Sequence, residues 1–198
     1  MLKTLKQNLK ARSHLSRPQP IIDEKSKNAA VLVVVCGVDD NLELLLTVRS
    51  ENVSRHRGEV AFPGGMWQEG DDSLLETALR EAEEEVGLME SSLELLATLP
   101  SASPMQDHIT VVPFVAYMSR EQELVAQPSE ISKIFRVPIT YLMNNENYFY
   151  FKKSFDDKLF CLPYIDYNGS RIWGFTLKVL VDLLKTSLDA KIHLCFPY

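Results

Sequence analysis

The stretch from Ser73 to Gly87 constrains the fold more than any other part of the chain, because its pattern is satisfied by a helix lying on a sheet. Ser73 and Glu76 form the Ser-x-x-Glu start signal of a helix, and Gly87 is a suitable stop. With about 100° of rotation per residue, Leu75, Leu79, Ala82 and Val86 gather on one arc. Glu81, Glu84 and Glu85 share a second arc of roughly 100°, centred roughly 140° from the first. The apolar arc can bury against a sheet while the three carboxylates face a cleft. Glu76 and Glu83 point elsewhere, to solvent.

Strands for that sheet are present on both sides of the helix. The β-branched run Ala30 to Val35 leads through the turn Gly37-Val38-Asp39-Asp40-Asn41 into a second strand, Leu42 to Val48. Arg49 to Glu59 reads as a polar loop and Val60 to Phe62 as a short strand running into Pro63-Gly64-Gly65, where two glycines let the backbone approach a ligand closely. Leu93 to Leu99 and Ile109 to Met118 read as strands, and Pro138 to Met143 as a short helix. Tyr148 to Phe151 and Lys158 to Tyr164 read as the arms of a hairpin. Phe175 to Thr186 is an amphipathic closing helix with Leu177, Leu180, Val181 and Leu184 on one face. The alternation predicts an α/β protein: a mixed central sheet covered by helices on both sides.

Repeats, low-complexity tracts and a dividing linker are all absent from the sequence, so residues 29–198 form one expected domain and residues 1–28 an N-terminal helical extension. The first 17 residues carry five basic side chains and no acidic one, with Leu2, Leu5 and Leu9 at helical spacing. They read as a surface helix or as an organelle transit peptide, which places the protein in the cytoplasm or, in the second case, in an organellar matrix. A charged patch, Asp23 to Lys27, follows Pro18 and Pro20, and the C-terminus is not of the Ser-Lys-Leu type.

Composition narrows the partners. A chain of 198 residues that is 45% hydrophobic and 24% charged is an ordinary soluble globular protein, and a net charge of −6 speaks against nucleic acid as a partner. The apolar runs Ala29 to Val35 and Val111 to Met118 fall short of the roughly 20 residues that a membrane helix takes. Cys36, Cys161 and Cys195 lack the paired spacing of a zinc or redox motif and read as reduced thiols. The expected partner is a small molecule, with neither nucleic acid nor membrane involved, and the chain a monomer or homodimer.

Three clustered carboxylates repel one another at neutral pH and suit a hard cation with oxygen ligands. Magnesium, which retains waters and binds substrate phosphates, fits that description, with manganese as the other choice. The cluster therefore predicts a phosphate substrate; the alternative is a solvated acidic helix face.

The stretch from Gly65 to Leu88 resembles the Nudix box, Gly-x5-Glu-x7-Arg-Glu-U-x-Glu-Glu-x-Gly-U with U aliphatic. Arg80-Glu81-Ala82-Glu83-Glu84-Glu85-Val86-Gly87-Leu88 matches the second half throughout, with Ala82 as the aliphatic residue. The first half has one extra residue between Gly65 and Arg80, and its acid is Asp71 or Asp72, depending on the end from which one counts. The resemblance implies the Nudix α/β/α sandwich. It also implies that Glu81, Glu84 and Glu85 ligate magnesium, that one of them also acts on the attacking water, and that Arg80 orients the glutamates.

A second resemblance concerns the substrate. Leu45-Leu46-Thr47-Val48-Arg49-Ser50, His56-Arg57-Gly58-Glu59 and Phe62-Pro63-Gly64-Gly65 are similar to the added signature of the coenzyme A pyrophosphatase branch of Nudix hydrolases. That signature is Leu-Leu-Thr-x-Arg-Ser/Ala-x3-Arg-x3-Gly-x3-Phe-Pro-Gly-Gly; Ser54 stands where its second arginine belongs, with Arg55 adjacent. Ile172-Trp173-Gly174-Phe175-Thr176 extends the similarity. The resemblance implies hydrolysis of coenzyme A or its acyl esters to adenosine 3',5'-bisphosphate and 4'-phosphopantetheine or its acyl form. Arg49, Arg55, His56, Arg57, Gly64 and Gly65 are then candidates for holding the substrate, since arginines bind such phosphates by charge-assisted bonds. The residue-level alternative is an exposed basic loop paired with nearby glutamates. Glu130 is a further candidate for the cleft, while Trp173 and Tyr148, Phe149, Tyr150 and Phe151 suit either adenine stacking or the core. The other functions weighed are a Nudix pyrophosphatase for ADP-ribose, dinucleotides or oxidised nucleotides, and a catalytically silent binding module.

Overall fold

The computed structural model describes residues 1–13, 15–16, 18–20, 27–104, 109–155, 157–194 and 196; residues 23–26 of the charged patch and the Cys195 thiol lie outside them. β1 (Lys27–Val38) lies at the centre because its residues Ala29 to Cys36 are almost continuously buried, as a strand covered on both faces must be. It pairs antiparallel with β2 (Asn41–Arg49) and parallel with β6 (Ile109–Met118), which pairs antiparallel with β5 (Leu93–Thr98). β3 (Val60–Ala61) extends the other edge beyond β2. The sheet is mixed, as expected.

Side chains of β1 alternate between two cores. Ala30, Leu32, Val34 and Cys36 meet Leu75, Ala78, Ala82 and Val86 of α2 (Leu74–Val86). Val33 and Val35 face the other core, built with α1 (Leu2–Arg12) and α4 (Gly174–Leu188). Helices on both faces of a mixed sheet make the α/β/α sandwich that the strand–helix alternation predicts. Among the described residues no helix is long and apolar enough to cross a membrane.

Three strands go beyond the sequence reading. β4 (Gly64–Met66) pairs with β1 at Ala29, Ala30 and Val31, and its two glycines conceal it as a turn. β7 (Ile131–Pro138) pairs with β2, and its Lys133 and Arg136 obscure the apolar alternation; Arg136 forks onto Glu121 with two bonds of 2.9 Å. The expected hairpin is a three-stranded sheet of β8 (Tyr148–Phe155), β9 (Lys158–Tyr167) and β10 (Ser170–Trp173). α3 (Ile139–Met143) is the short helix expected after Pro138.

α1 packs on α4 with Leu5 and Leu9 fully buried, and Asn8 Nδ2 donates to the Ser187 carbonyl at 2.9 Å. Replacing Leu9 by Ala is expected to cost about 2–5 kcal/mol, the range for a leucine removed from a closed core. Urea denaturation reads this directly, and a loss below about 1 kcal/mol would mean that the α1 contact is peripheral.

Candidate active site

α2 begins where Ser73 accepts a hydrogen bond from the Glu76 backbone N–H at 3.3 Å, while the Glu76 carboxylate accepts from the Asp72 N–H. The helix ends at Gly87. Its polar side is organised by Arg80. The Arg80 guanidinium meets Asp71 through two bonds, Nε to Oδ1 at 2.9 Å and Nη2 to Oδ2 at 3.1 Å, and Nη1 reaches Glu81 at 2.9 Å and Glu84 at 3.1 Å. Thr77 Oγ1 donates to Asp71 at 2.8 Å, and Arg80 holds the Asp71 carboxyl below the usual range. Of the two acids left open by counting, the structure pairs Asp71 with Arg80, and Asp72 is exposed.

β4 crosses the helix face because its glycines permit it. Gly64 has φ 149°, and a Cβ there would sit 2.3 Å from the Ala30 carbonyl oxygen; a Cβ on Gly65 would sit 2.4 Å from the Glu81 carboxyl carbon. At this distance the Gly64 N–H donates to Glu85 Oε2 at 3.0 Å, and Arg49 Nη1 lies 3.6 Å from Glu85 Oε1.

The three glutamates therefore do not share one open face. The Glu84 side chain is 60% exposed, Glu81 17% and Glu85 only 3%. Helical spacing placed them on one arc, but β4 covers the part of that arc holding Glu85. Burial pushes the Glu85 carboxyl up to about 7; the Gly64 N–H and Arg49 oppose this, and Glu81 and Glu130 add to it. Glu81 is raised by burial, against Arg80, with further upward pushes from Glu84 and Glu130. Glu130 thus belongs to the same electrostatic neighbourhood, and its carbonyl accepts from Ser50 N–H at 2.7 Å.

Among the described residues, no three His, Cys, Asp or Glu side chains are gathered tightly enough to form a metal cage. Arg80 holds oxygens of Glu81 and Glu84, and Gly64 holds one of Glu85. The donor set nevertheless suits a hard cation. The carboxylates are oxygen ligands whose like charges push Glu81 and Glu85 further up beyond the effect of burial, and magnesium is bound by one or two carboxylates plus waters and substrate phosphates rather than by a protein cage.

A cleft of about 270 Å³ opens at Gly64 and Arg49 and runs between Val60–Phe62 and the three-stranded sheet. Its walls include Phe155, Leu162, Trp173 and Phe175, and its cationic groups are Arg49, Lys153 and, when protonated, His56. His56 has φ 56° and sets Nδ1 against Glu59 at 2.9 Å. Arg55 and Arg57 do not line this cleft: both are exposed, and Arg57 Nε donates to the Val53 carbonyl at 2.7 Å. Ser54 is exposed beside them. Trp173 lines the cleft and meets Phe151 edge-on, with centroids 5.6 Å apart, while Phe149 and Tyr150 are about half exposed.

Arg49 Nε is the one buried side-chain nitrogen or oxygen, among the described residues, with no hydrogen-bond partner. A buried guanidinium donor left unsatisfied at the mouth of a cleft is suited to an anionic oxygen. Sequence reading passed over Lys153. The signal was there in the two-residue period of β8, which sets Lys153 on the same face as Phe151 and Phe155.

Residues 26–158 match the NUDIX domain family. The chain is 32% identical to a protein of Photorhabdus laumondii named Uncharacterized Nudix hydrolase NudL, over 85% of this chain and 89% of that one. It is also 32% identical to the human protein named Mitochondrial coenzyme A diphosphatase NUDT8, over 85% of this chain and 72% of that one. A solved MutT/nudix family protein from Enterococcus faecalis superposes with a TM-score of 0.57 at 19% identity, covering 86% of this chain and 66% of that chain, a likeness of fold.

Proposed function

The chain belongs to the Nudix hydrolases, enzymes of pyrophosphate bonds, and on that premise we propose that it cuts the diphosphate of coenzyme A or acyl-coenzyme A. The products are adenosine 3',5'-bisphosphate and 4'-phosphopantetheine or its acyl form. The observation that carries this reading is the unsatisfied Nε of Arg49, which belongs to the substrate signature and also faces Glu85 of the carboxylate helix. The coenzyme A diphosphatase activity named for the human relative supports it.

In this reading Glu81, Glu84 and Glu85 would hold a divalent cation, magnesium or manganese. Such an ion would offset charge on the phosphoryl oxygens and lower the pKa of water for the attack. Arg80, fixed by Asp71, sets the positions of Glu81 and Glu84. Arg49 donates to an oxygen of the diphosphate, in a setting where charge-assisted bonds are strong. The Gly64 N–H keeps the Glu85 carboxylate turned toward the same point. One of these carboxylates takes the proton released by the attacking water as the anhydride P–O bond breaks.

The test is mass spectrometry of the products formed from coenzyme A, ADP-ribose and a dinucleoside polyphosphate with magnesium. Coenzyme A is expected to give both named products, with a kcat/KM about tenfold or more above that of ADP-ribose, since discrimination is a difference in transition-state binding. A preference for ADP-ribose overturns the coenzyme A reading and leaves the family assignment standing.

A further inference from the structure

We propose that Lys153, on the three-stranded sheet, reads a phosphomonoester on the substrate's ribose, the group by which coenzyme A differs from its dephospho form. The proposal rests on the coenzyme A reading for the identity of the substrate, and on the cleft's own geometry for the site.

Strand alternation sets Phe149, Phe151, Lys153 and Phe155 of β8 on one face. On β9, Tyr164 lies opposite Phe149, Leu162 opposite Phe151 and Phe160 opposite Lys153, while Trp173 of β10 lies opposite Tyr164. The result is an aromatic wall with an ammonium group set into it. Lys153 Nζ sits 4.0 Å from the centre of the Trp173 ring and 5.2 Å from that of Phe155. The part of this wall formed by Lys153, Phe155, Leu162 and Trp173 lines the cleft that begins at Arg49 and Gly64.

Some cations of the chain are neutralised by carboxylates, as Lys6 is by Glu94, Lys178 by Asp182 and Arg136 by Glu121, whereas Arg171, over the Tyr164 ring at 4.6 Å and the Phe151 ring at 5.3 Å, is held by ring faces as Lys153 is but does not line the cleft. Among the described residues, Lys153 has no carboxylate within ion-pair distance, and ring faces orient its charge without cancelling it. In a protein of net charge −6, a cation held this way in a largely apolar cleft marks a place for an anion. Glu59, the one carboxylate among the described residues lining the cleft, is set against His56, so the permanently cationic groups described there are Arg49, at the carboxylate end, and Lys153, on the second sheet. A ligand with a diphosphate at the first, an aromatic base against the wall and a separate phosphate at the second matches the arrangement. Arg55 and Arg57 do not line this cleft, so the reading of that phosphate passes from the signature loop to the sheet.

The test compares kcat/KM for coenzyme A and dephospho-coenzyme A, with magnesium, in the parent chain and in Lys153→Ala, Lys153→Arg and Lys152→Ala. The ratio of the two substrates is the readout, because the fraction of folded enzyme cancels from it. Lys153→Ala is expected to lower the ratio about tenfold or more, the size of one lost charge-assisted contact. Lys153→Arg is expected to keep most of it, and Lys152→Ala, which projects from the opposite face of β8, all of it. Equal losses on both substrates in Lys153→Ala overturn the proposal.

A second arm needs no turnover: calorimetric binding of adenosine 3',5'-bisphosphate and of 5'-AMP to the parent and to Lys153→Ala. The parent is expected to hold the bisphosphate about tenfold more tightly, an advantage that the variant loses. If the parent binds the two nucleotides equally, the Lys153 site is refuted even where coenzyme A is hydrolysed. If coenzyme A is not hydrolysed while a Lys153-dependent preference for the bisphosphate persists, the coenzyme A reading fails and the phosphate site stands.

Discussion

Exchanging Glu85 for Gln is expected to lower kcat/KM with magnesium about a thousandfold, as loss of a metal worth several kcal/mol of transition-state stabilisation would require. The same exchange is expected to stabilise the metal-free protein at alkaline pH. Glu85 is nearly sealed from solvent, and burial raises its carboxyl from an ordinary 4.5 to about 7. Because the folded value exceeds the unfolded one, the stability gained from the protonated form is complete below about pH 4.5 and is lost as pH rises through about 7. Above that range the ionised carboxylate costs the metal-free fold on the order of 3 kcal/mol, at about 1.4 kcal/mol per unit. Gln keeps the shape without the charge, so the variant should melt higher than its parent at pH 8 and at nearly the same temperature at pH 5. Magnesium should raise the parent's melting temperature by mass action and do so more strongly as pH rises, since it competes with the proton; the Gln variant should lose most of this response. Glu81→Gln is expected to impair turnover similarly, while Glu83→Gln, exposed on another side of the helix, is nearly silent. Parental rates in both the Glu85 and Glu81 variants would refute the metal-helix assignment.

The second large effect is expected at Gly64. Its backbone conformation is nearly exclusive to glycine, which by itself costs another residue about 1–3 kcal/mol. A methyl group would also lie 2.3 Å from the Ala30 carbonyl oxygen and 2.6 Å from Val31 Cα, both backbone atoms that no rotamer change can move. Gly64→Ala should therefore lose about 3 kcal/mol or more in urea denaturation. It should also lower turnover, because β4 must shift and withdraw the N–H that fixes Glu85. Gly70 provides the comparison: it has φ 113° but nothing within 4 Å of the added carbon, so Gly70→Ala carries only the conformational cost. Equal losses at the two glycines would show that close packing of β4 on β1 is not what positions the site.

Local periodicity made α2, β1, β2 and β6 legible in the sequence, because each presents its apolar residues at the spacing its own geometry demands. What covers a helix face is decided by segments far away in the chain. The arc of Glu81, Glu84 and Glu85 followed from helical rotation, but the burial of Glu85 follows from β4 pairing with β1, and no period within α2 encodes that. The choice between Asp71 and Asp72 was likewise open to counting; it depends on the bend before Ser73 that brings Asp71 under the Arg80 fork. β7 was missed because it carries charges that are neutralised elsewhere, as Arg136 is by Glu121. Lys153 was legible in principle and was passed over because a lysine in a hairpin reads as solvated until Trp173, twenty residues on, is brought beside it.

The parallel pairing of β1 with β6 also has a consequence for the order in which the molecule can assemble. It sets residue 27 beside residue 109, so one long loop must close before the centre of the sheet exists. The β1–β2 hairpin and the β4 strand with its glycine turn, by contrast, join segments that leave the ribosome close together. During synthesis the carboxylate helix thus has the strands that flank it before the sheet that anchors them is complete. Pairing of β1 with β6 and pairing of β2 with β7 are both non-local contacts of the kind that slow folding in mixed topologies. Until β6 docks, one edge of β1 lacks its hydrogen-bonded neighbour, and an unpaired edge of that kind is where aggregation competes with folding.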